Sequence, residues 1–187
     1  AAIEKDEFNR AKDVKQEIEW FMAHQSEGSK VVEMLSAGEI PLRVTHNDTK
    51  LNNVMLDDVT GEGVCVIDLD TTMSGSAVYD FGDMVRTATS PAAEDEVDVS
   101  KVKMQIHMFE ALVKGYLASA NSFLTDAERS LLPFAGKLLT MECGTRFLCD
   151  HLSGDVYFKT HRDGHNLDRT RTQIALVESI EAQQESM

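Results

Sequence analysis

One short segment of this sequence concentrates residue types that suit phosphoryl transfer. It runs from His46 to Asn53 and has the pattern H-x-D-x-x-x-x-N. In such a loop Asp48 can orient an acceptor hydroxyl as a general base, and Asn53 offers an amide oxygen to a metal ion. Asp68 follows the next apolar segment and offers a carboxylate to the same ion. The pattern therefore predicts a site that moves a phosphoryl group with the help of a divalent cation.

The segment between Asn53 and Asp68 predicts a β-hairpin. Two short apolar strands, 54–56 and 64–67, flank a run of Asp, Thr and Gly residues that favours a turn. A turn centred at 60–61 would place Asn53 opposite Asp68. We therefore expect both side chains at the open end of one hairpin, able to share a cation.

The chain before this hairpin is predicted to be helical and then extended. Residues 2–25 have the apolar spacing of one helix. A second short helix is expected over 31–37, and Gly38 and Pro41 then introduce an extended segment over 42–45. These elements would lead the chain into the loop that carries Asp48.

Beyond residue 76 the chain is predicted to be helical to its end. Thr125-x-x-Glu128 resembles a capping box, and residues 166–185 suit a polar amphipathic final helix. One further helix is indicated by apolar residues at helical spacing, namely Val102, Ile106, Phe109, Val113 and Tyr116. We expect residues 1–187 to form one mainly α (α+β) unit, in which helices support the small hairpin.

The composition limits the partners. The formal net charge of −14 disfavours nucleic-acid backbones and anionic membranes, and no apolar run is long enough to span a bilayer. A phosphate site in so acidic a protein needs divalent cations. The three cysteines, Cys65, Cys143 and Cys149, are too scattered for a disulfide framework or a zinc site. Their apolar neighbours lead us to expect buried free thiols in a reducing cytoplasm.

These motifs resemble the kinase-like phosphotransferase superfamily, which includes aminoglycoside phosphotransferases and choline kinases. The resemblance is strongest to N-acetylhexosamine 1-kinases and runs from about residue 40 to the C-terminus. It is carried by four segments: Thr45–Met55, Val66–Thr71, Tyr79–Asp83 and His165–Arg169.

The resemblance implies the C-terminal lobe of a protein-kinase-like fold and an ATP-dependent kinase that uses Mg²⁺. The N-terminal lobe, which clamps the nucleotide, would be absent from this chain and would be its partner. The acceptor implied is the anomeric hydroxyl of an N-acetylhexosamine. Choline, an aminoglycoside or another sugar remain alternative acceptors.

The resemblance also implies roles for residues near the loop. Asp48 matches the catalytic base, and Asn53 and Asp68 match the Mg²⁺ ligands. Asp70 is a candidate for a further metal or water contact. Lys50 stands where protein kinases of the Ser/Thr type carry a Lys that touches the transferring phosphate, although an exposed loop Lys would look the same.

Four further residues are assigned on the same basis. Arg146 and Tyr157 match sugar contacts of the N-acetylhexosamine kinases and are candidates for the acceptor pocket. Arg146 is equally explained by a pair with Glu142, four residues earlier, and Tyr157 by a place in the core. His46 is expected to order the loop backbone, and Asp80 to brace the loop by hydrogen bonds.

A protein kinase is the first alternative. Asn47 stands where protein kinases carry an Arg that binds a phosphorylated activation loop. The stretch between Asp70 and Asp80 is too short for such a loop. The tripeptide 80–82 spells the kinase metal-binding sequence, but it follows no apolar strand. Asp68 does follow one, so we assign metal binding to Asp68.

Two alternatives come from other classes. A metal-dependent hydrolase could use the same cluster of Asp, Asn and His residues. None of the three cysteines lies in the C/S-x-P/A-x-R context of a sulfatase, and consumption of ATP would separate the two classes. The chain could also be a non-catalytic fragment, because loss of half of a nucleotide cleft removes both affinity and positioning.

Overall fold

The computed structural model describes residues 2–187, and these residues form a mainly helical fold, as the sequence predicts, with two small antiparallel sheets. The helices are α1 (Ala2–Lys5), α2 (Lys15–Ala23), α3 (Lys30–Ser36), α4 (Ala77–Ala88), α5 (Ile106–Ala120), α6 (Asp126–Leu152) and α7 (His165–Glu181). The strands are β1 (Arg43–Thr45), β2 (Val54–Leu56), β3 (Gly63–Val66) and β4 (Met73–Gly75). Within residues 2–187 no helix is both long enough and apolar enough to cross a membrane.

The core is centred on α6, which packs against α4 on one side and α7 on the other. Side chains with almost no exposure fill the space between these helices, and burying each contributes about 1.5–3 kcal/mol. They include Val78, Phe81 and Val85 from α4, Leu131, Leu132 and Ala135 from α6, and Leu176 and Ile180 from α7. Thr125 and Glu128 form the predicted capping box at the start of α6. The longest helix is therefore fixed along its length and at its first turn.

Two glycines allow α4 and α6 to approach each other closely. A Cβ atom at Gly82 would overlap the backbone oxygen of Ala135, and one at Gly136 would overlap the side chain of Val85. Any larger residue at either position would push the helices apart. The position of α4 is therefore fixed by direct contact with α6.

The single helix predicted over residues 2–25 is wrong. The chain leaves α1 at Lys5, has positive φ angles at Asp6 and Asn9, forms a short 3-10 turn at Ala11–Asp13, and re-enters an α-helix only at Lys15. The Asp6 carboxylate accepts the N–H of Arg10 (2.8 Å) and of Ala11 (3.0 Å). These side-chain bonds replace helical backbone bonds and stabilise the break.

Long-range contacts hold this break in place. The Arg10 guanidinium donates to the backbone oxygen of His151 (2.7 Å) and to the Asp155 carboxylate (2.5 Å), while the Phe8 ring lies against Gly154. Local apolar spacing carries no information on such partners, which explains the wrong prediction.

The predicted hairpin is present as the antiparallel pair β2–β3, but its register differs from the predicted one. Val54 faces Val66, and the N–H of Ile67 donates to the backbone oxygen of Asn53 (2.9 Å). Asn53 therefore lies opposite Ile67, and Asp68 follows one residue later. The predicted pairing of Asn53 with Asp68 is wrong by one position, because the turn is centred one residue earlier than predicted: the N–H of Asp57 donates to the backbone oxygen of Glu62 (2.8 Å). The irregular pairing between Met55 and Leu56 recovers one of the two positions by which this turn shifts the register.

The extended segment predicted over 42–45 contains β1, whose partner the sequence did not reveal. Arg43 faces Gly75 and Thr45 faces Met73, so β1–β4 closes the loop region into one substructure. Another expectation fails at Val102, which precedes α5 instead of lying in it. Here the chain is held extended, because the N–H of the fully buried Met104 donates to Ser179 Oγ (2.9 Å).

The expectation of buried thiols is wrong for two of the three cysteines. Cys65 and Cys149 are exposed, and Cys143 is half-buried. Cys65 lies on β3, all of whose residues are exposed, so its apolar neighbours in the sequence do not form a core.

Candidate functional site

The loop between β1 and β2 gathers three of the predicted site residues around one carboxylate. Lys50 Nζ lies 2.7 Å from Asp48 Oδ2. Asn53 Nδ2 donates to the same oxygen (2.9 Å) and to the backbone oxygen of Asp48 (2.8 Å). Both side chains bind Oδ2, and Oδ1 can accept a further hydrogen bond.

The electrostatic surroundings keep Asp48 ionised. Partial burial acts to raise the pKa of Asp48, but the hydrogen bonds from Lys50 and Asn53 outweigh it, and the pKa is lowered from its ordinary value. The carboxylate is therefore charged at neutral pH and can act as a proton acceptor. Its side chain is 27% exposed, which leaves it open to a small molecule.

His46 connects the loop to the hairpin through both ring nitrogens. Nδ1 accepts the N–H of Asp48 (3.3 Å), and Nε2 lies 2.9 Å from the backbone oxygen of Ile67. A backbone N–H needs an acceptor and a carbonyl needs a donor, so the neutral tautomer with hydrogen on Nε2 satisfies both bonds. In this arrangement the ring links the backbone at Asp48 to the backbone at Ile67.

Asp80 lies in the first turn of α4 and binds the loop from the opposite side. Its carboxylate accepts the N–H of His46 (2.9 Å) and of Asn47 (2.7 Å), and its backbone oxygen accepts the Thr49 hydroxyl (2.5 Å). Asn47 is held in a left-handed conformation with φ of 63°. These are the contacts expected of a residue that braces the loop.

Asp68 and Asp70 lie just beyond β3 and are both exposed. Asp68 adopts a left-handed conformation (φ 63°, ψ 55°) and begins a short 3-10 turn, Leu69–Thr71, that contains Asp70. The Asn53 amide nitrogen is turned toward Asp48, which leaves the amide oxygen available to a cation. An amide oxygen and carboxylates are donors that Mg²⁺ prefers, so the chemistry of these residues fits the predicted ion.

A cleft of about 770 Å³ opens at the loop, and both Asn47 and Asp48 line it. Arg146, on α6, lines the same cleft, so the structure brings this predicted acceptor contact to the cavity of the candidate base. Arg146 also lies near Glu142, with Nε 3.7 Å from Oε1. Arg146 therefore lies near Glu142 and lines the cleft at the same time.

Tyr157 is placed differently from Arg146. It is 73% exposed and does not belong to the core, so that alternative is wrong. It does not line the cleft, but its hydroxyl lies 3.5 Å from Arg146 Nη2, and the Arg146 guanidinium lies over its ring. Tyr157 thus supports Arg146 from outside the cleft.

The segment that carries Tyr157 is fixed by Asp150. The Asp150 carboxylate accepts the N–H groups of Val156, Tyr157 and Phe158 at 2.8–3.0 Å. The fully buried Asn166 donates to the same carboxylate (2.8 Å). Part of the segment His165–Arg169, which carries the family resemblance, therefore acts as scaffold.

Further polar residues of the cleft wall were missed from the sequence. Asp83 and Arg86 on α4 and Glu142 on α6 line it, and Arg86 is paired with Asp83 (Nη2–Oδ1 2.9 Å). Burial raises the pKa of Glu142, although Arg146 opposes this. The i, i+3 spacing of Asp83 and Arg86 and the i, i+4 spacing of Glu142 and Arg146 place each pair on one helix face, a signal that could have identified them.

Two cysteines, Cys143 and Cys149, line the cleft. Burial raises the pKa of the Cys143 thiol to about 12 and also raises the pKa of the Cys149 thiol above its ordinary value. A protonated thiol is a poor nucleophile. This weakens the hydrolase alternative, as far as that alternative would use one of these cysteines.

A model of the phosphotransferase enzyme family matches residues 2–117. The match covers more than half of the chain. It includes the complete loop, the hairpin, Asp68 and Asp80, whereas Arg146 and Tyr157 lie outside it.

Proposed function

This chain belongs to the phosphotransferase enzyme family, whose members transfer phosphoryl groups from ATP to small molecules, and we propose that its acceptor is an N-acetylhexosamine. The arrangement of Asp48, Lys50 and Asn53 beside a cleft supports this proposal most directly. It places an ionised carboxylate, a cation and a candidate metal ligand next to space for an acceptor.

The proposed chemistry assigns one task to each side chain. Asp48 orients the acceptor hydroxyl and accepts its proton through Oδ1. Lys50 offsets the negative charge that develops on the transferring phosphoryl group. Asn53 and Asp68 hold Mg²⁺, with Asp70 as a further metal or water contact, and the bound ion neutralises phosphate charge. The acidic protein thus handles ATP through metal, which resolves the conflict with its charge of −14.

The sugar is proposed from the motif resemblance and from Arg146. A guanidinium in the cleft wall can donate to sugar oxygens, and that of Arg146 lies over the rings of Tyr157 and Phe158. We place the reaction in the cytoplasm, which supplies ATP and Mg²⁺.

A nucleotide-clamping lobe is proposed as the partner of the hairpin surface. Met55, Val64 and Leu69 on and beside the hairpin are 53, 67 and 61% exposed. Such a cluster of exposed apolar side chains is typical of a surface that another structure covers. A nucleotide base and the lobe that clamps it would cover this surface.

The base assignment is tested with Asp48→Asn. The variant keeps the shape of the side chain but not its basicity, so we expect turnover to fall by about 10²–10⁴-fold with Mg-ATP affinity nearly unchanged. ATP consumption is measured with N-acetylglucosamine, N-acetylgalactosamine, other hexoses, choline and aminoglycosides. The matched control is Asp58→Asn in the exposed hairpin turn. Normal turnover by Asp48→Asn would show that another group is the base.

The metal assignment is tested with Asp68→Asn. Loss of one carboxylate ligand should abolish the part of ATP affinity that depends on Mg²⁺, as measured by calorimetric titration with and without the ion. Asp58→Asn again provides the control. If Asp68→Asn bound ATP with an undiminished dependence on Mg²⁺, Asp68 would not be a ligand.

A further inference from the structure

The cleft beside Asp48 has apolar lining residues that the proposed chemistry does not use. Ile3 on α1, Met22 on α2 and Val32 on α3 line it, and they are 43, 57 and 53% exposed. Single exposed apolar residues are common on proteins. Here three of them, on three different helices, line one cavity together with Ile18 and Phe21, and we call this lining the apolar wall.

The charged side chains that line the cleft are paired. Asp48 is bound to Lys50, Arg86 to Asp83, and Arg146 lies near Glu142. These side chains offer hydrogen bonds but little uncompensated charge. They therefore suit a neutral hydroxyl-bearing group better than a polycation or a free carboxylate.

The polar and the apolar lining together define the chemistry of the molecule that fits. The reacting hydroxyl must reach Asp48, so the rest of the acceptor lies in the remainder of the cavity, whose lining includes Ile3, Met22 and Val32. A volume of about 770 Å³ lies well inside the range of sites that hold drug-sized ligands and leaves room beyond a single sugar ring. An apolar chain on the acceptor would fill that room and cover the exposed side chains.

We infer that the acceptor is a neutral amphiphile, with a polar hydroxyl-bearing head at Asp48 and an acyl or alkyl chain along the wall formed by Ile3, Met22 and Val32. This inference rests on the proposed function. On an amino-sugar head, it means an N-acyl chain longer than acetyl. The chain would contribute binding in proportion to the apolar area that it removes from water.

The test is a series of glucosamines that carry N-acetyl, N-butanoyl, N-hexanoyl and N-octanoyl groups. Binding to the protein is measured by calorimetry without nucleotide, and ATP consumption is measured separately. Burial of each added methylene should raise affinity by about two- to fourfold, until the chain reaches the end of the wall. Equal affinity across the series would overturn the inference and leave the N-acetylhexosamine proposal standing.

A substitution in the apolar wall tests whether the gain in affinity with chain length comes from contacts with that wall. Val32→Asp introduces a charge at an exposed position and should abolish the increase in affinity with chain length. The control is Val97→Asp, at a 69% exposed position outside the cleft lining. If Val32→Asp kept the full dependence on chain length, the wall would not be the binding surface.

A second series separates failure of the inference from failure of the proposed acceptor. If no N-acyl glucosamine binds or supports ATP consumption, the amino-sugar proposal is wrong. The apolar wall is then tested with straight-chain alcohols from butanol to octanol. Affinity that rises with length and is lost in Val32→Asp supports an amphiphilic acceptor with another head, and affinity without that trend overturns the inference.

Discussion

At the scale of single residues, the side chains around Asp48 were identifiable from the sequence because their spacing is short. Asp48, Lys50 and Asn53 lie within six consecutive positions, so a tight loop brings them together whatever the rest of the chain does. The relation of Asn53 to Asp68 was less predictable. It depends on one irregularity in a ladder of a few residues, and a shift of one position changes which residue is the partner.

The balance of forces on Asp48 leads to a prediction for Lys50→Met. Burial raises the pKa of Asp48 and Lys50 provides the largest opposing contribution, so removal of the ammonium group should raise that pKa. Carbon-13 NMR titration of the Asp48 carboxyl measures the change. Lys103→Met, at an exposed site away from the loop, should leave it unaltered. An unchanged Asp48 titration in Lys50→Met would mean that the pair is broken in solution.

At the scale of elements, the apolar spacing predicted most helices but missed the features set by distant contacts. The break after α1 depends on Arg10 and its partners near residue 151. The strand β1 depends on a partner near residue 74. The capping box at Thr125 was predicted correctly because both of its bonds lie within four residues.

The contacts of α4 with the loop lead to a prediction for Asp80→Ala. The variant removes a charged acceptor from the N–H groups of His46 and Asn47, and each such hydrogen bond contributes about 1.5–3 kcal/mol. Both amides should therefore exchange with solvent deuterium much faster, while amides in the α6–α7 core keep their protection. Asp58→Ala should change neither group. Unchanged exchange at His46 and Asn47 would show that the loop holds its shape without Asp80.

At the scale of the whole molecule, the N-terminal segment and the region after α6 stabilise each other through partly buried charges. Arg10 binds Asp155, and His151 lies beside this pair with its side chain 10% exposed. Burial, together with the charge of Arg10, lowers the pKa of His151 from its ordinary value. The folded protein thus keeps this ring neutral at a pH where the unfolded chain would protonate it.

This lowered pKa predicts how stability depends on pH. The ordinary pKa of histidine is about 6.5. Below this pH, the unfolded chain binds a proton at His151 that the folded protein does not bind. The free energy of unfolding therefore falls as the pH decreases toward the folded-state pKa. Urea unfolding of His151→Gln should show a smaller loss between pH 7.5 and 5.5 than the unsubstituted protein. His107→Gln, at an exposed position, is the control. Equal losses in His151→Gln and the unsubstituted protein would contradict the assignment.

The contact at Gly82 has a consequence for how the enzyme tolerates change. Asp80 lies two positions before Gly82 on the same helix. A methyl group at position 82 would push α4 away from α6 and would displace Asp80, whose hydrogen bonds hold the loop. The distance between the candidate base and the acceptor cavity is therefore set by the packing of α4 against α6 and not by the loop alone. Substitutions far from any substrate can therefore lower the activity, whereas residues at the exposed hairpin tip can vary without this effect.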